Sequence, residues 1–324
     1  MGFPRYTHRM PPNTVRCDEP QLRRSLHMNS GFIGGAVFAV ITIACFVTLP
    51  WSVQRYEGEA GDEAQARLAP SLTHPMGTDE LGRSMLWRCL LGGAISLGIG
   101  ISAAIIAVLI GVAWGAIAGL SVGRTDAIMM RTVDVLYGLP YVLLVVLIGI
   151  GLQPLVERML GGLPADIAAA VANVATLLVA IGGLSWMTMS RVIRGQVLSL
   201  RSQPFIEAAR ACGVGSTGIL WRHLLPNLVG PIIVYGTLAV PTAILTESTL
   251  SFLGIGVQAP LPSWGNIATE GMSELHGLAV PGRKNQWWLI LWPCLLLGLT
   301  LMALNFLGDA LRNRLDPRSR VNTA

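Results

Sequence analysis

Lysine is nearly missing from this chain: Lys284 is the only one in 324 residues, and Asn285 follows it. A phosphate-binding P-loop needs Lys followed by Ser or Thr to hold phosphate and magnesium, so that route to ATP hydrolysis is excluded. Charge is also scarce, at 13% Asp, Glu, Lys and Arg against about 25% in an average soluble domain. The five cysteines, Cys17, Cys45, Cys89, Cys212 and Cys294, are scattered and odd in number, which suggests neither a disulfide framework nor a zinc site. The histidines, His8, His27, His74, His223 and His276, are isolated and form no H-E-x-x-H pair, so no metal role is expected. Basic residues interleaved with aromatics are lacking too, and a nucleic-acid partner has no footprint.

Apolar residues make up 52% of the chain, and its mean hydropathy is +0.57. Stretches free of Asp, Glu, Lys and Arg cover 25–54, 89–123, 135–156, 167–190, 223–246 and 285–308. Each can supply the roughly 20 residues that a helix needs to cross a bilayer. The runs are continuously apolar rather than alternating, which predicts helices and not a barrel. The expected fold is therefore an all-α integral membrane protein with six transmembrane helices, near 31–51, 93–120, 129–152, 167–190, 228–252 and 287–308. A polar arm, 1–30, precedes the first span, which is too long for a signal-peptide core and reads as a retained helix. Residues 52–88 form an outside segment, 191–227 an inside loop and 309–324 an inside tail. With both termini inside, sixteen of the 23 basic residues fall on the inside segments and seven on the outside, as the positive-inside rule requires.

Within the spans, RTVDVLYGLPY places Arg131 and Asp134 one turn apart at the inside edge of the third helix, where they can pair, and Pro140 is expected to kink that helix further in. Glu247 lies about twenty residues along the fifth span, beside Ser248 and Ser251. A carboxylate in a spanning segment either faces a cavity, where it suits a peptide's ammonium group, or pairs inside the bundle; burial decides between the two. Residues 254–286 hold too much Pro, Gly and polar character for a seventh span. GLSVG at 119–123 matches G-x-S-x-G, but it lacks the strand–turn–helix setting and a base within reach. An intramembrane serine hydrolase remains a distant alternative.

The inside loop before the fifth span contains SQPFIEAARACGVGSTGILWRHLLPN, residues 202–227. Ser202 or Gln203 can start a short free-standing helix, Pro204 suits its first turn and Gly213 its left-handed stop. Phe205, Ala208 or Ala209, and Cys212 give it a small apolar face, with Glu207 and Arg210 able to pair beside it. A helix this short is marginal alone and needs a surface to pack on. Its small size and few basic residues suit a protein groove better than lipid headgroups.

EAA at 207–209, Gly213 after three residues and His223 with Leu225–Pro226 beyond it resemble the EAA loop of permease subunits in binding-protein-dependent ABC importers. HPMGTDELGRS, RTVD with Pro140, ESTLSFLGIG, PSWG and LGDALRNRLDPR narrow the resemblance to C-type permeases of the dipeptide, oligopeptide and nickel branch, over residues 71–318. Ser84, Ala94 and Asn313 depart from that pattern, and the N-terminal arm lies outside it. The resemblance implies a type I ABC importer permease fold in a bacterial inner membrane, with residues 203–213 as the coupling helix. Pro204, Phe205, Glu207, Ala208, Ala209, Arg210 and Gly213 would then contact a cytoplasmic ATPase subunit, with Glu247, Ser248 and Ser251 as candidates for the translocation path. It further implies a second homologous permease and an extracytoplasmic binding protein as partners, with ATP and Mg²⁺ held by the ATPases and no cofactor on this chain. Short peptides are the expected cargo, with nickel or another small solute as the alternative.

Overall fold

A computed structural model describes residues 19–58, 65–121, 123–276 and 286–315. The arm up to residue 18, most of the acidic segment 57–63, Lys284 and the tail beyond Leu315 lie outside the described residues. Among the described residues there are helices and no strand, only an isolated antiparallel bridge between Thr78 and Ser84. Five helices are long and apolar enough to span a bilayer, and a bent pair makes a sixth span if counted as one. The chain is an all-α membrane protein.

The first span is α1 (Glu19–Val47), which bends by 54° into α2 (Leu49–Gly58). The helix begins inside the polar arm, and its apolar spanning part runs from Gly31. The second is α3 (Met85–Leu120) and the fourth α6 (Ala165–Arg201), each close to twice the length that a bilayer needs. Their extra turns carry α3 beyond its apolar run at the start and α6 beyond its run at both ends. The fifth is α9 (Leu225–Phe252), entered through α8 (Ser216–Ile219) and a wider π turn at Leu220–Leu224, and the sixth is α11 (Trp288–Leu315).

One expectation needs correction. The third span is not one kinked helix over 129–152: the chain forms α4 (Arg124–Tyr137), breaks at Gly138–Pro140 and restarts as α5 (Tyr141–Met159). Proline disfavours helical geometry in the residue before it, and Gly138 has just ended the previous helix. Only α5 is long and apolar enough to span. Among the described residues of 254–286 no helix is long enough to span, and the stretch contains α10 (Trp264–His276), whose buried Trp264 donates its indole N–H to the Cys89 carbonyl at 2.9 Å.

The core is built on α3 and α6, and small residues let them meet. A Cβ added at Gly115 would lie 2.5 Å from the Ser190 carbonyl oxygen of α6. In lipid, where hydrophobic attraction between helices is weak, such close backbone contact is what binds them. Gly98 of the same helix faces open space, with nothing within 4 Å of an added Cβ. Gly115→Ala should therefore cost about 1–3 kcal/mol through overpacking, whereas Gly98→Ala should be neutral or slightly stabilising. Thermal unfolding of the two variants in detergent checks the contrast, and equal melting would contradict it.

Candidate functional site

The helix expected at 203–213 is α7 (Pro204–Ala211), with Pro204 in its first turn and Gln203 before it making no side-chain cap. Gly213 takes φ +80°, a left-handed conformation in which glycine carries no Cβ penalty. The helix is not free-standing: Ile206 is fully buried beside Ile193 and Val197 of α6, Ile219 of α8 and Leu228 of α9. Helical periodicity makes Ile206 and Ala209 the inner face, so Phe205, Ala208 and Cys212 point outward instead of lining the contact with the body. Glu207 and Arg210 are both exposed, and no ion pair joins them. What α7 offers is an outward surface of Phe205, Glu207, Ala208, Arg210 and Cys212 on a root fixed in the core.

The expected Arg131–Asp134 pair is replaced. Asp134 instead accepts from Arg191 of α6 at 2.9 Å, and Arg191 lies over the Tyr137 ring, 4.3 Å from its centroid. One turn of α4 thus presents a carboxylate and an aromatic face together, and Arg191 satisfies both while Arg131 points to the exterior. A second pair joins the same two helices. Arg194 grips Asp126 with two hydrogen bonds, Nε to Oδ1 at 2.6 Å and an Nη to Oδ2 at 2.7 Å. The hydrogen bond from Arg194 holds the Asp126 carboxyl below the ordinary carboxylate range. Its stabilising contribution is therefore complete at neutral pH and disappears only as pH falls through that lowered value. Neither pair is visible at helical spacing, because the partners are 57 and 68 residues apart.

Glu247, Ser248 and Ser251 do not line a path. All three are buried, and Glu247 has 0% relative exposure. Its carboxylate accepts from the Ser251 hydroxyl at 2.8 Å and the Ser248 hydroxyl at 3.3 Å, and the hydroxyls of Ser96 and Ser263 lie beside it. Three of these serines in turn accept backbone N–H groups: Ser251 from Val257, Ser96 from Trp264 and Ser263 from Asn266. Around the carboxylate these serines tie the segment after α9 to its surroundings, Ser251 through Val257 and Ser96 of α3 through Trp264. Thr246 and Thr249, on the same helix, spend their hydroxyl hydrogens on carbonyls one turn back.

Outside the spans, Asp79 of the GTDELGR stretch is buried. Its Oδ1 accepts the Leu81 and Arg83 backbone N–H groups, and its Oδ2 accepts Arg83 Nε at 2.7 Å and Arg88 at 2.9 Å. Arg88 also pairs with Glu270 of α10 at 2.8 Å. A segment for which the sequence supplies no role is thus a structural clasp across the ends of α3 and α10. Ser121 of GLSVG sits just past the end of α3 and donates to the Ile117 carbonyl at 2.8 Å, a helix-terminal role and not a nucleophile's setting.

Sequence reasoning misses the cavity that best suits a path. It has a volume of about 600 Å³ between α3, the α4–α5 break, α6 and α9, and no charged residue lines it. Tyr137, Tyr141, Ser185, Tyr235, Thr242 and Thr246 border it. Ser185, Thr242 and Thr246 donate their hydrogens to carbonyls of their own helices, which leaves lone pairs for an incoming N–H. A larger hollow of about 720 Å³ between α3 and α6 is walled by Ala, Ile, Val and Leu with Ser102 as its one hydroxyl, and offers little to a polar cargo.

Residues 111–321 match the family described as binding-protein-dependent transport system inner membrane component. The dipeptide transport system permease protein DppC of Bacillus subtilis is 39% identical over 92% of this chain and 83% of its own length. The oligopeptide transport system permease proteins OppC of Haemophilus influenzae and of Escherichia coli are 36% and 37% identical, each over 92% of this chain, covering 88% and 90% of the relatives.

Proposed function

The chain belongs to the binding-protein-dependent transport system inner membrane components, and on that premise we propose that it forms half of the translocation path of an ATP-driven importer for short peptides. Relatives named for dipeptide and oligopeptide transport, each similar over most of the chain, support the peptide cargo. The observation that carries the mechanism is α7: a short helix rooted by Ile206, with a small outward face and exposed Glu207 and Arg210. That surface suits the groove of a cytoplasmic ATPase subunit, the coupling helix in residues 203–213.

The remaining parts follow from the same premise. ATP and Mg²⁺ sit on the partner ATPases, since the one lysine here is followed by Asn285. A second permease completes the path, and an extracytoplasmic binding protein delivers cargo on the side of residues 65–84 and α10. Both termini lie in the cytoplasm of a bacterial inner membrane in this reading, which the charge asymmetry supports. Closure of the ATPase pair moves α7 as a rigid body and alternates access to the cavity. By linkage, docking of the loaded binding protein favours the ATP-bound closed form. The hydroxyl-lined cavity, neutral throughout, takes over the role first given to Glu247. Lone pairs from Ser185, Thr242 and Thr246 meet the N–H groups that every peptide backbone carries, whatever its side chains.

The test is purification of the chain from its native membrane, followed by reconstitution of whatever accompanies it in liposomes. ATP-dependent uptake of a di- or tripeptide, requiring the copurified binding protein, is the expected result. Uptake of nickel without uptake of peptide would overturn the cargo, and purification without any ATPase would overturn the class.

A further inference from the structure

We infer that the Asp126–Arg194 pair, seconded by Asp134–Arg191 over Tyr137, is the link through which movement of α7 reaches the wall of the hydroxyl-lined cavity. The inference rests on the reading of α7 as the ATPase contact and adds the route by which its motion travels.

The route is continuous on one side. Only Ser202 and Gln203 separate α6 from α7. That turn is closed by the Gln203 N–H donating to the Leu200 carbonyl, and by the N–H groups of Ile206 and Glu207 donating to the Gln203 carbonyl. Ile206 packs on Ile193 and Val197 of α6, so α7 and the inner end of α6 move together. Arg201 extends this body to the end of α3 by donating to the Gly119 carbonyl at 3.1 Å.

The other side is held differently. Val133 is the one fully buried residue of α4, with Met130 and Leu136 partly buried beside it against the core, so a short apolar seam is all the packing that fixes that helix. Three polar contacts hold it: the two ion pairs and the Trp114 indole N–H donating to the Met129 carbonyl at 3.3 Å. At its end α4 brings Leu136 and Tyr137 to the cavity wall, and the Gly138–Pro140 break lets it shift relative to α5. A helix held by so narrow an apolar seam follows what grips its charges. The Arg194 fork grips best, because a two-bond guanidinium–carboxylate contact fixes orientation as well as distance. The Asp134–Arg191 pair has a single hydrogen bond, and the Asp134 side chain is 64% exposed, so it contributes less.

The test uses the complete importer in liposomes, measuring peptide uptake per ATP hydrolysed and the ATPase activity stimulated by the loaded binding protein. Asp126→Asn keeps the size but loses the charge, and should lower uptake per ATP about tenfold, within the range of ordinary allosteric coupling. Asp134→Asn should lower it less. The exchange of Asp126→Arg with Arg194→Asp should recover most of the loss, and because uptake is taken per ATP hydrolysed, a mere loss of folded complex would leave that ratio unchanged. Unchanged uptake per ATP in the Asp126→Asn, Asp134→Asn double variant would overturn the inference, as would a loss that the exchange fails to repair. Ala208→Trp separates the two readings. If it abolishes uptake while the double variant is normal, the link fails and the coupling helix stands; if it has no effect, the coupling reading itself fails.

Discussion

Glu247→Ala should leave little folded subunit in the membrane, and what can be extracted should melt far below the unchanged protein. The reason is the bond pattern around the carboxylate. Two serine hydroxyls, from Ser251 and Ser248, direct their hydrogens at it, those of Ser96 and Ser263 lie beside it, and the carboxyl oxygens are the acceptors of this buried cluster. Alanine removes every acceptor at once. Each orphaned buried donor costs about 1–3 kcal/mol, so even with partial relaxation the sum is several kcal/mol, a large share of the 5–15 kcal/mol typical of a folded domain. The damage also spreads, because Ser251, Ser96 and Ser263 hold the N–H groups of Val257, Trp264 and Asn266. Glu247→Gln should be milder: the amide oxygen still accepts, while its NH₂ forces some hydroxyls to turn away. Melting curves in detergent, with uptake by whatever complex assembles, distinguish this hub from a cargo contact. A Glu247→Ala protein that folds and melts normally but transports one class of peptide poorly would restore the path reading.

The same residue shows how far the sequence could be read. Asp, Glu, Lys and Arg are costly in hydrocarbon, so gaps between them mark out the spanning helices without knowledge of packing. The gaps do not show where a helix breaks: the run 135–156 crosses Gly138 and Pro140, and only the backbone preference before proline, together with the amphipathic pattern of α4, separates two helices there. Nor do they show α10, whose 13 residues are too few to span and gain stability by wedging against α3, α9 and α11. Local spacing proposed Arg131–Asp134 and Glu207–Arg210, both geometrically allowed on a helix. Tertiary partners outbid the first, because Arg191 meets Asp134 and the Tyr137 ring together. The second stays open on a face turned away from the core. For Glu247, burial was the deciding quantity. A polar side chain's surroundings depend on helix rotation, and in a span with small polar residues on several faces the sequence leaves that rotation open.

The EAA triplet itself supplies the sharpest functional test, since its two alanines face opposite ways. Ala208→Trp should leave the subunit folded and assembled while lowering peptide uptake by about tenfold to a hundredfold, the span of typical coupling energies. Stimulation of ATPase activity by the loaded binding protein should fall with it. Ala208 lies on the exposed side of α7, so the indole points away from the body of the described residues and interferes with what docks there. Ala209 is 8% exposed and turned inward with Ile206. Ala209→Trp must force a bulky ring into packed side chains, at a cost of about 1–3 kcal/mol or more, and should lower stability along with transport. The decisive comparison is thus a ratio, uptake per folded subunit, quantified by extraction and melting beside transport in liposomes. It should collapse for Ala208→Trp. Normal uptake by an Ala208→Trp importer would mean that no partner touches this face, and that α7 is a structural cap on α6 and α9 rather than the coupling contact.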